Sequence, residues 1–326
     1  MNKIPVAVIG VGYLGRQHVR VYSQLDCVEL VGVADANAET ARAVAREFHT
    51  APYSNYEELL GKVAAVSLAV PTSAHSSVGC RLLSHGIDVL VEKPIASSTG
   101  EADSLIETAR TYQRVLQVGH LERFNPAVVE ARKLLTTPLF FEVHRLGVFT
   151  SRSLDIDVVL DLMIHDLDIV LDFVGSPVAA VSAVGLPILS SKIDIANARI
   201  EFANGCVANL TASRVSSEKV RKLRFFQPTQ YLSIDYTRQD IVVMSVTPAA
   251  KAGAPTIVPR RIDLPKIEPL TAEIEVFLQT VRHRGQSVVT GEEGRRALEL
   301  GQQVIGKIRD HTHRLKLPEP VPQHLP

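Results

Sequence analysis

The sequence has little of several features that would point to particular kinds of protein. Its three cysteines, Cys27, Cys80 and Cys206, lie far apart and have none of the spacings typical of metal sites, which indicates reduced thiols in a cytoplasmic protein. The 35 basic and 35 acidic residues cancel, which argues against a general nucleic-acid or membrane-surface binder. No apolar run is long enough to span a bilayer, and we expect no signal peptide. Any anionic ligand must therefore be bound by a local cluster of cations.

The beginning of the chain carries a glycine-rich turn between a strand and a helix. An apolar run at residues 5–9 is followed at once by Gly10-Val11-Gly12-Tyr13-Leu14-Gly15 and then by a helical pattern. In such a turn the first glycine permits a tight bend, the second lets the backbone approach a pyrophosphate, and the third lets the helix pack against the strand. The loop from Gly10 through Gly12, Tyr13 and Leu14 to Gly15 therefore predicts a dinucleotide site.

A second strand, at residues 29–34, ends in Asp35, about 20 residues after the last glycine of the turn. A carboxylate at this point accepts hydrogen bonds from the adenosine ribose and repels a 2′-phosphate. Asp35 therefore favours NAD over NADP. The alternative is that Asp35 is a plain cap of the helix that begins near Ala38.

The alternation of strands and helices continues to residue 119. Further strands are predicted at residues 51–53, 65–70, 88–92 and 115–119, which gives a doubly wound parallel sheet. Ligands of open parallel sheets bind at the carboxyl ends of the strands, and Lys93 follows directly after one of them. We expect Lys93 to lie where the dinucleotide meets a second molecule.

Four motifs occur in a fixed order along the chain: Gly10-x-Gly12-x-x-Gly15, Val70-Pro71-Thr72-x-x-His75, Glu92-Lys93-Pro94 and Gly119-His120-x-x-Arg123-Phe124-x-Pro126. In this combination the chain resembles the Gfo/Idh/MocA family of nicotinamide-dependent sugar and polyol oxidoreductases. The resemblance implies an NAD site that includes Pro71, Thr72, His75 and Glu92, with the loop from Pro71 to His75 along the nicotinamide. It also implies that Lys93 reaches both the nicotinamide and the substrate hydroxyl.

The rest of the chain is predicted to form a second domain. Alternating apolar and polar strands at residues 140–146, 198–202, 207–211, 223–227, 231–236 and 241–246 favour a largely antiparallel open sheet with helices on one face. The uncovered face favours a homodimer or homotetramer. The proline-dense residues 248–269 indicate a loop. We predict an α/β fold with an NAD-binding Rossmann domain at 1–121, an α+β substrate-binding and oligomerisation domain at 122–316, and a mobile tail at 317–326.

A helix predicted from about residue 154 to 174 carries a polar stripe on an otherwise apolar surface. Its members are Asp157, Asp161, His165, Asp168 and Asp172. We expect the ends of the stripe to be solvated. For the middle, the family resemblance implies that Asp161 and His165 face the nicotinamide. Two alternatives stay open, a packed histidine at 165 and a metal site made of Asp161, His165 and Asp168.

Several cations are candidates for contacts to an anionic substrate. The densest basic segment is 214–224, which contains Arg214, Lys219, Arg221 and Lys222, and Arg145 and Arg152 precede it. Arg123 is a further candidate substrate contact. The alternative for the basic segment is a set of edge-strand charges that deter aggregation.

These residues together favour an oxidoreductase that transfers a hydride between a sugar hydroxyl and NAD. Lys93 and His165 are predicted to share the hydroxyl proton, with Asp161 orienting the histidine. The helix motif around residues 157–168 resembles the nucleotide-sugar branch of the family, which implies UDP-N-acetylglucosamine as substrate, oxidised at the 3-hydroxyl for lipid A synthesis, with an aminotransferase as partner. The alternatives are a dehydrogenase of a free polyol such as inositol and a catalytically silent NAD-binding sensor.

Overall fold

The computed structural model describes residues 3–149, 156–247 and 256–315, which form two compact units. The first unit contains the residues up to Phe124 together with Ile267–Glu299, and the second contains Asn125–Lys266 and continues from Leu300. Throughout these described ranges, no helix combines the length and the apolar character needed to cross a bilayer.

The first unit is built on a six-stranded sheet in which every neighbouring pair is parallel. Its strands are β1 (Ile4–Ile9), β2 (Val28–Ala34), β3 (Ala51–Tyr53), β4 (Ala65–Leu68), β5 (Asp88–Glu92) and β6 (Leu116–Gly119). Their order is β3-β2-β1-β4-β5-β6, so the chain reverses its direction of winding between β1 and β4. The intervening helices are α1 (Tyr13–Ser23), α2 (Ala38–Glu47), α3 (Thr72–Ser84) and α4 (Thr99–Thr111). The predicted Rossmann sheet is confirmed, because its continuous β-branched runs are buried on both faces.

The second domain was predicted to be contiguous over residues 122–316, but helix α7 (Pro269–His283) belongs to the first unit. Ile274, Phe277, Leu278 and Val281 of this helix are buried in the same apolar core as β1 and α1. Residues 267–299 therefore return to the first unit, since burying the apolar face of α7 outweighs its position in the sequence.

The second unit is built on an eight-stranded, mainly antiparallel sheet. Its strands are β7 (Phe140–Leu146), β8 (Val178–Leu186), β9 (Ile195–Phe202), β10 (Val207–Ser213), β11 (Val220–Gln227), β12 (Gln230–Asp235), β13 (Asp240–Thr247) and β14 (Thr256–Ile262). Their order is β14-β13-β12-β11-β7-β10-β9-β8, with β7 and β10 parallel. Strand β8 was missed by the sequence analysis. The helices of this unit are α5 (Pro126–Lys133), α6 (Ile164–Val174) and α8 (Gly291–Arg314), the last of which is divided between the units.

The loop predicted for residues 248–269 is wrong for part of its length. Strand β14 pairs with β13 over Thr256–Ile262, and Pro259 stands within it opposite Met244. A proline cannot donate to a sheet, but β14 is the edge strand and has no neighbour on its other side among the described residues. Pro248 and Pro255 lie outside the described residues, as does the predicted tail at 317–326.

The two faces of the second sheet differ in character. Phe141 and Phe225 stack at 5.5 Å between ring centroids on the core face, against Phe173 of α6. On the opposite face Phe226 stacks on Tyr231 at 5.1 Å, and both rings are only half-buried. A row of apolar side chains, Phe140, Phe226 and Tyr231, therefore stays partly exposed on this opposite face.

Candidate active site

Three loops leave the carboxyl edge of the parallel sheet from the neighbouring strands β1, β4 and β5. They are the glycine loop, the segment from Val70 to Thr72, and the turn that begins with Lys93. Because β1 and β4 flank the reversal of strand order, this edge is where open α/β sheets bind their ligands. The structure therefore brings together the cofactor residues that the sequence predicted for the first unit.

The glycine loop has the geometry that a pyrophosphate requires. Gly10 has a φ of +80°, and a side chain on Gly15 would lie 1.8 Å from the Gly10 carbonyl oxygen, so the helix packs directly on the strand. A side chain on Gly12 would meet nothing within 4 Å, which leaves open space in front of α1. The first turn of α1 contains no acidic residue that would repel an anion. The residues here fit a dinucleotide, and Tyr13 and Leu14 are exposed beside the open space.

Asp35 is tied to the glycine loop. Its carboxylate accepts a hydrogen bond from the backbone N–H of Val11 at 2.9 Å and another from Asn37 at 2.9 Å. The helix α2 is capped by the Asn37 side chain, which accepts from the N–H groups of Glu39 and Thr40. The capping alternative for Asp35 is therefore wrong, and its role toward the adenosine ribose stays a prediction.

His75 connects two of the three loops. Its Nδ1 lies 2.9 Å from the carbonyl oxygen of Pro94 and its Nε2 lies 2.9 Å from that of Val70. Burial lowers the pKa of His75, although the hydrogen bonds to these carbonyls act in the opposite direction. The geometry supports a role in holding the segment from Pro71, where α3 begins, against the turn after Lys93, whose peptide bond to Pro94 is cis.

Glu92 and Lys93 end strand β5 above a buried polar network. One Glu92 oxygen lies 2.9 Å from Nε2 of His18, and the other accepts from the backbone N–H of Lys93 at 3.2 Å. Burial alone would raise the pKa of Glu92, but the hydrogen bond from His18 and the charge of Lys93 outweigh it and hold this pKa below its ordinary value. Glu92 is therefore ionised, and the half-buried Lys93 lies next to its charge.

In the second unit, the polar stripe is distorted by a turn of π-helix. Residues Val159–Met163 form this turn, and the regular helix α6 begins directly after it. Such turns are frequent at functional sites because they turn side chains away from the regular spacing. Asp161 is half-buried in the π-turn, while His165 and Asp168 are buried in α6. Asp161 thus lies in the π-turn and His165 at the start of α6, and their predicted place beside the nicotinamide stays a prediction.

The ends of the stripe both have partners, and the prediction that they are solvated is wrong for Asp172, whereas Asp157 is only half-buried. Asp157 accepts a hydrogen bond from the backbone N–H of Ile193 at 2.9 Å. Asp172 is paired with Arg132, and its side chain is only 8% exposed. The metal alternative has no support among the described residues. They contain no group of three or more His, Cys, Asp or Glu side chains that could bind an ion.

A cationic cavity of about 460 Å³ opens in the second unit beside the π-turn. Four basic side chains line it, together with Asp161: Arg145, Arg214, Lys219 and Arg221. Lys219 is exposed and Arg221 is half-buried, so both can reach a ligand from the rim. Of the basic residues in the 214–224 segment, Arg214, Lys219 and Arg221 thus meet around one space, whereas Lys222 and Arg224 do not line it.

Two of these arginines also have structural partners. Arg145 is buried and forms a two-pronged ion pair with Asp166, at 2.6 and 2.9 Å, over the ring of Tyr236. The buried guanidinium of Arg214 donates to the carbonyl of Ile156. Asp166 offsets the charge of Arg145, and Asp194 lies 3.7 Å from Arg214, so the attraction of these two arginines for an anion is reduced.

The remaining predicted substrate residues are placed differently. Arg123 lies in the first unit and pairs with Glu293 at 3.4 Å, so in the structure it connects the short turn Leu121–Phe124 to the start of α8. Arg152 lies outside the described residues. The roles of both as substrate contacts stay predictions.

Comparison with known proteins agrees with this architecture. Residues 4–120 match the model of an oxidoreductase family with an NAD-binding Rossmann fold, and residues 139–230 match the Gfo/Idh/MocA C-terminal domain. Of the curated relatives, the UDP-N-acetylglucosamine 3-dehydrogenase of Acidithiobacillus ferrooxidans is 40% identical and covers 93% of this chain and 97% of its own. The scyllo-inositol 2-dehydrogenase (NAD(+)) of Bacillus subtilis is 25% identical and covers 95% of each chain.

Solved structures show the same relationship. The UDP-N-acetylglucosamine 3-dehydrogenase of Acidithiobacillus ferrooxidans superposes with a TM-score of 0.89 at 38% identity, covering 95% of this chain and 99% of that one. A levoglucosan dehydrogenase in complex with NADH and levoglucosan shares the fold, with a TM-score of 0.84 at 18% identity and coverage of 95% and 98%. The chain therefore belongs to the Gfo/Idh/MocA family of oxidoreductases, and its first unit is the NAD-binding Rossmann domain of that family.

Proposed function

We propose that the protein oxidises UDP-N-acetylglucosamine at its 3-hydroxyl, with NAD as the hydride acceptor. The single observation that carries this proposal is the cationic cavity of the second unit, whose wall also includes Asp161. A neutral polyol needs no such cluster, whereas a diphosphate gains charge-assisted hydrogen bonds from it. The 40% identical relative that bears this activity in its name supports the same substrate.

The reaction requires a group that takes the proton of the hydroxyl as the hydride leaves the carbinol carbon. NAD supplies the hydride acceptor when it is bound. We assign the proton to Lys93 and His165, as the family resemblance implies, and we assign the orientation of His165 to Asp161. Phosphate contacts made far from the reacting carbon supply affinity, which leaves the groups at the hydroxyl free to act in the transition state.

The proposal is tested by a turnover assay that follows NADH absorbance. The ketone product should be trapped or transaminated, because oxidation of an alcohol by NAD is unfavourable at equilibrium. NADH formation with UDP-N-acetylglucosamine, and little with free glucose or myo-inositol, is the expected result. Turnover of myo-inositol alone would replace the substrate by a free polyol, and no turnover of any sugar would favour a silent NAD-binding protein.

The chemistry of the product suggests which reaction follows this one. A 3-keto sugar nucleotide is a substrate for transamination, so we propose an aminotransferase as the functional partner and lipid A synthesis as the destination. The three cysteines are free, which supports a cytoplasmic location.

The cavity predicts that affinity for the nucleotide sugar depends on charge. Replacing both Lys219 and Arg221 with glutamine should raise KM for UDP-N-acetylglucosamine by at least ~100-fold, since each hydrogen bond to a charged group contributes about 1.5–3 kcal/mol and the variant removes two such groups. Arg224→Gln is the matched control, because Arg224 lies on the same strand but pairs with Glu142 outside the cavity. Steady-state kinetics at fixed NAD measure the effect. Equal KM values in the double variant and the control would place the diphosphate elsewhere.

Asp35 predicts a preference for NAD. Repulsion between its carboxylate and a 2′-phosphate should make NADH bind at least ~10-fold more tightly than NADPH, which corresponds to about 1.4 kcal/mol. Fluorescence titration of both nucleotides measures this ratio, and Asp35→Ser should reduce it. Tighter binding of NADPH by the unmodified protein would contradict the role of Asp35.

The partly exposed apolar row on the second sheet supports the proposed homodimer or homotetramer. Tyr231→Asp places a charge in the middle of this row and should shift the mass seen by light scattering toward the monomer. Tyr112→Asp is the control, since Tyr112 is 47% exposed on the first unit. A monomeric mass for the unmodified protein at micromolar concentration would remove this proposal.

A further inference from the structure

In the first unit, a series of hydrogen bonds between buried polar side chains ends at Glu92. His18 and Tyr22 lie one turn apart on α1, Ser67 lies on β4 and Glu92 ends β5. The Tyr22 hydroxyl is 3.0 Å from Oγ of Ser67, which is 2.9 Å from Nδ1 of His18, and Nε2 of His18 is 2.9 Å from Glu92. None of these four residues is more than 8% exposed.

The hydrogen bond at Glu92 has a defined direction. An ionised carboxylate only accepts, so Nε2 of His18 donates to it. The direction of the bond between Nδ1 of His18 and Oγ of Ser67 depends on the protonation of the ring, and either hydroxyl can donate between Ser67 and Tyr22. Both ring nitrogens of His18 are held, which fixes the rotamer of His18 and the position of the Glu92 carboxylate.

Room for this carboxylate is provided by the neighbouring strand. A side chain on Gly119 of β6 would lie 3.2 Å from the Cα of Glu92 and 3.3 Å from its carboxyl group. Among the described residues, the titratable groups that interact with Glu92 include His18 of α1, His75 of α3, Glu273 of α7 and the following residue Lys93. Among them, His18 holds Glu92 by a hydrogen bond from its side chain.

We propose that His18 is a positioning residue of the reaction, which acts through Glu92 to keep a fixed negative charge at the base of Lys93. The proposal rests on the proposed function in one respect, the assignment of Lys93 as a proton acceptor. Without the His18 bond, a buried Glu92 would lose its main reason to stay ionised, and the ammonium form of Lys93 would lose a neighbouring charge that favours it. Removing the His18 bond is therefore expected to act on the Lys93 amine through the Glu92 carboxylate.

The test measures the Lys93 amine directly, in the full-length protein without sugar. Acetic anhydride labels neutral amines, and mass spectrometry of the Lys93 peptide gives its labelling rate as a function of pH. In His18→Leu and in Glu92→Gln the midpoint of this curve should move to lower pH by about one unit, the low end for losing an opposite charge nearby. The double variant should move it no further, because both changes remove the same carboxylate.

Two further variants separate positioning from simple packing. His18→Gln keeps an N–H donor that can reach Glu92, so it should restore the midpoint of the unmodified protein. Tyr22→Phe changes the side chain furthest from Glu92 in this series of hydrogen bonds. It should leave the labelling midpoint within about 0.3 pH unit of that of the unmodified protein. An unshifted midpoint in Glu92→Gln, or a His18→Leu protein that binds NAD normally and labels like the unmodified protein, would overturn the proposal.

The same variants distinguish this inference from the proposed function. The pH profile of kcat/KM should move with the labelling midpoint if Lys93 accepts the proton. A labelling shift without any turnover of UDP-N-acetylglucosamine would leave His18 as the positioning residue and remove the substrate assignment instead.

Discussion

Replacing Lys93 with methionine is expected to lower turnover by at least ~100-fold, the low end for removing a proton-transfer group. Affinity for NAD should stay within a few-fold of that of the unmodified protein, because the glycine loop and Asp35 are untouched. The reason is the position of Lys93 directly after β5, at the carboxyl edge of the sheet and next to the ionised Glu92. Single-turnover kinetics with UDP-N-acetylglucosamine and a separate NADH titration measure the two quantities.

The Lys93→Met variant is compared with a control variant of another lysine and with a variant of His165, the second residue assigned to proton transfer. Lys307→Met removes an exposed lysine from α8 and should change neither quantity. His165→Asn should also slow the reaction and flatten the pH dependence of kcat/KM between pH ~5 and 8, where an imidazole titrates. Near-normal turnover in Lys93→Met would remove Lys93 from the mechanism, and an unchanged rate and profile in His165→Asn would leave His165 as a packing residue.

The cofactor half of this site was predictable because its signals are local in the sequence. A strand, three spaced glycines and a helix lie within about 20 residues, and the order of the parallel strands then follows from right-handed connections. Asp35 was singled out by the same spacing, and its contact with the ribose stays a prediction. The structure adds that its carboxylate holds the backbone of Val11, a contact that no spacing rule predicts.

Strands β8 and β14 show where sequence patterns fail. Val178–Leu186 reads VAAVSAVGL, in which alanine, serine and glycine dilute the usual strand signal, and its conformation is set by pairing with β9. Thr256–Ile262 contains Pro259, which argues against a central strand but not against an edge strand. Both elements depend on a neighbour that the local sequence does not reveal.

The sequence analysis grouped the basic residues of the cavity correctly, but it did not distinguish the buried arginines from the accessible cations. Arg145 and Arg214 looked equivalent to Lys219 and Arg221, yet both are buried, and Asp166 neutralises the first. Asp166 lies next to His165 in the sequence and outside the polar stripe, so the helical spacing gave no reason to single it out. A buried partner on another element is decided by packing and not by the pattern of one helix.

Glu273 is the group whose buried state has the largest expected consequence for stability. It lies on the apolar face of α7 with Ile274 and Phe277, and it is fully buried. Over the described residues no hydrogen-bond partner is found for either carboxyl oxygen. Burial raises the pKa of Glu273 well above its ordinary value of 4.5, and the nearby Glu92 carboxylate adds to the effect. Glu273 is therefore protonated in the folded protein over a range of pH in which it is ionised in the unfolded chain.

The sign of the pH dependence follows from this difference in bound protons. Below the ordinary pKa of about 4.5 both states hold the proton, and the contribution of Glu273 to stability is complete. As pH rises from there toward the raised pKa of the folded state, the unfolded chain releases the proton first, and the folded state loses about 1.4 kcal/mol per pH unit. Charged groups around Glu273 that could alter this are Glu92 and, on the turn packed against α7, Glu122 and Arg123.

Glu273→Gln should remove this loss, because an amide stays neutral at every pH. The variant should differ little from the unmodified protein near pH 4.5 and should become progressively more stable than it toward pH 8, by more than ~2 kcal/mol if the window spans at least about two pH units. Urea unfolding of the full chain at pH steps between 5 and 8 measures the trend, and its slope is the decisive quantity, since the buried amide itself can add a constant offset. Glu275→Gln makes the same chemical change on the exposed side of α7 and should give a flat difference near zero. A flat difference for Glu273→Gln as well would mean that the Glu273 carboxyl titrates in the folded protein as it does in the unfolded chain, and that its burial is relieved by a group able to hold the charge.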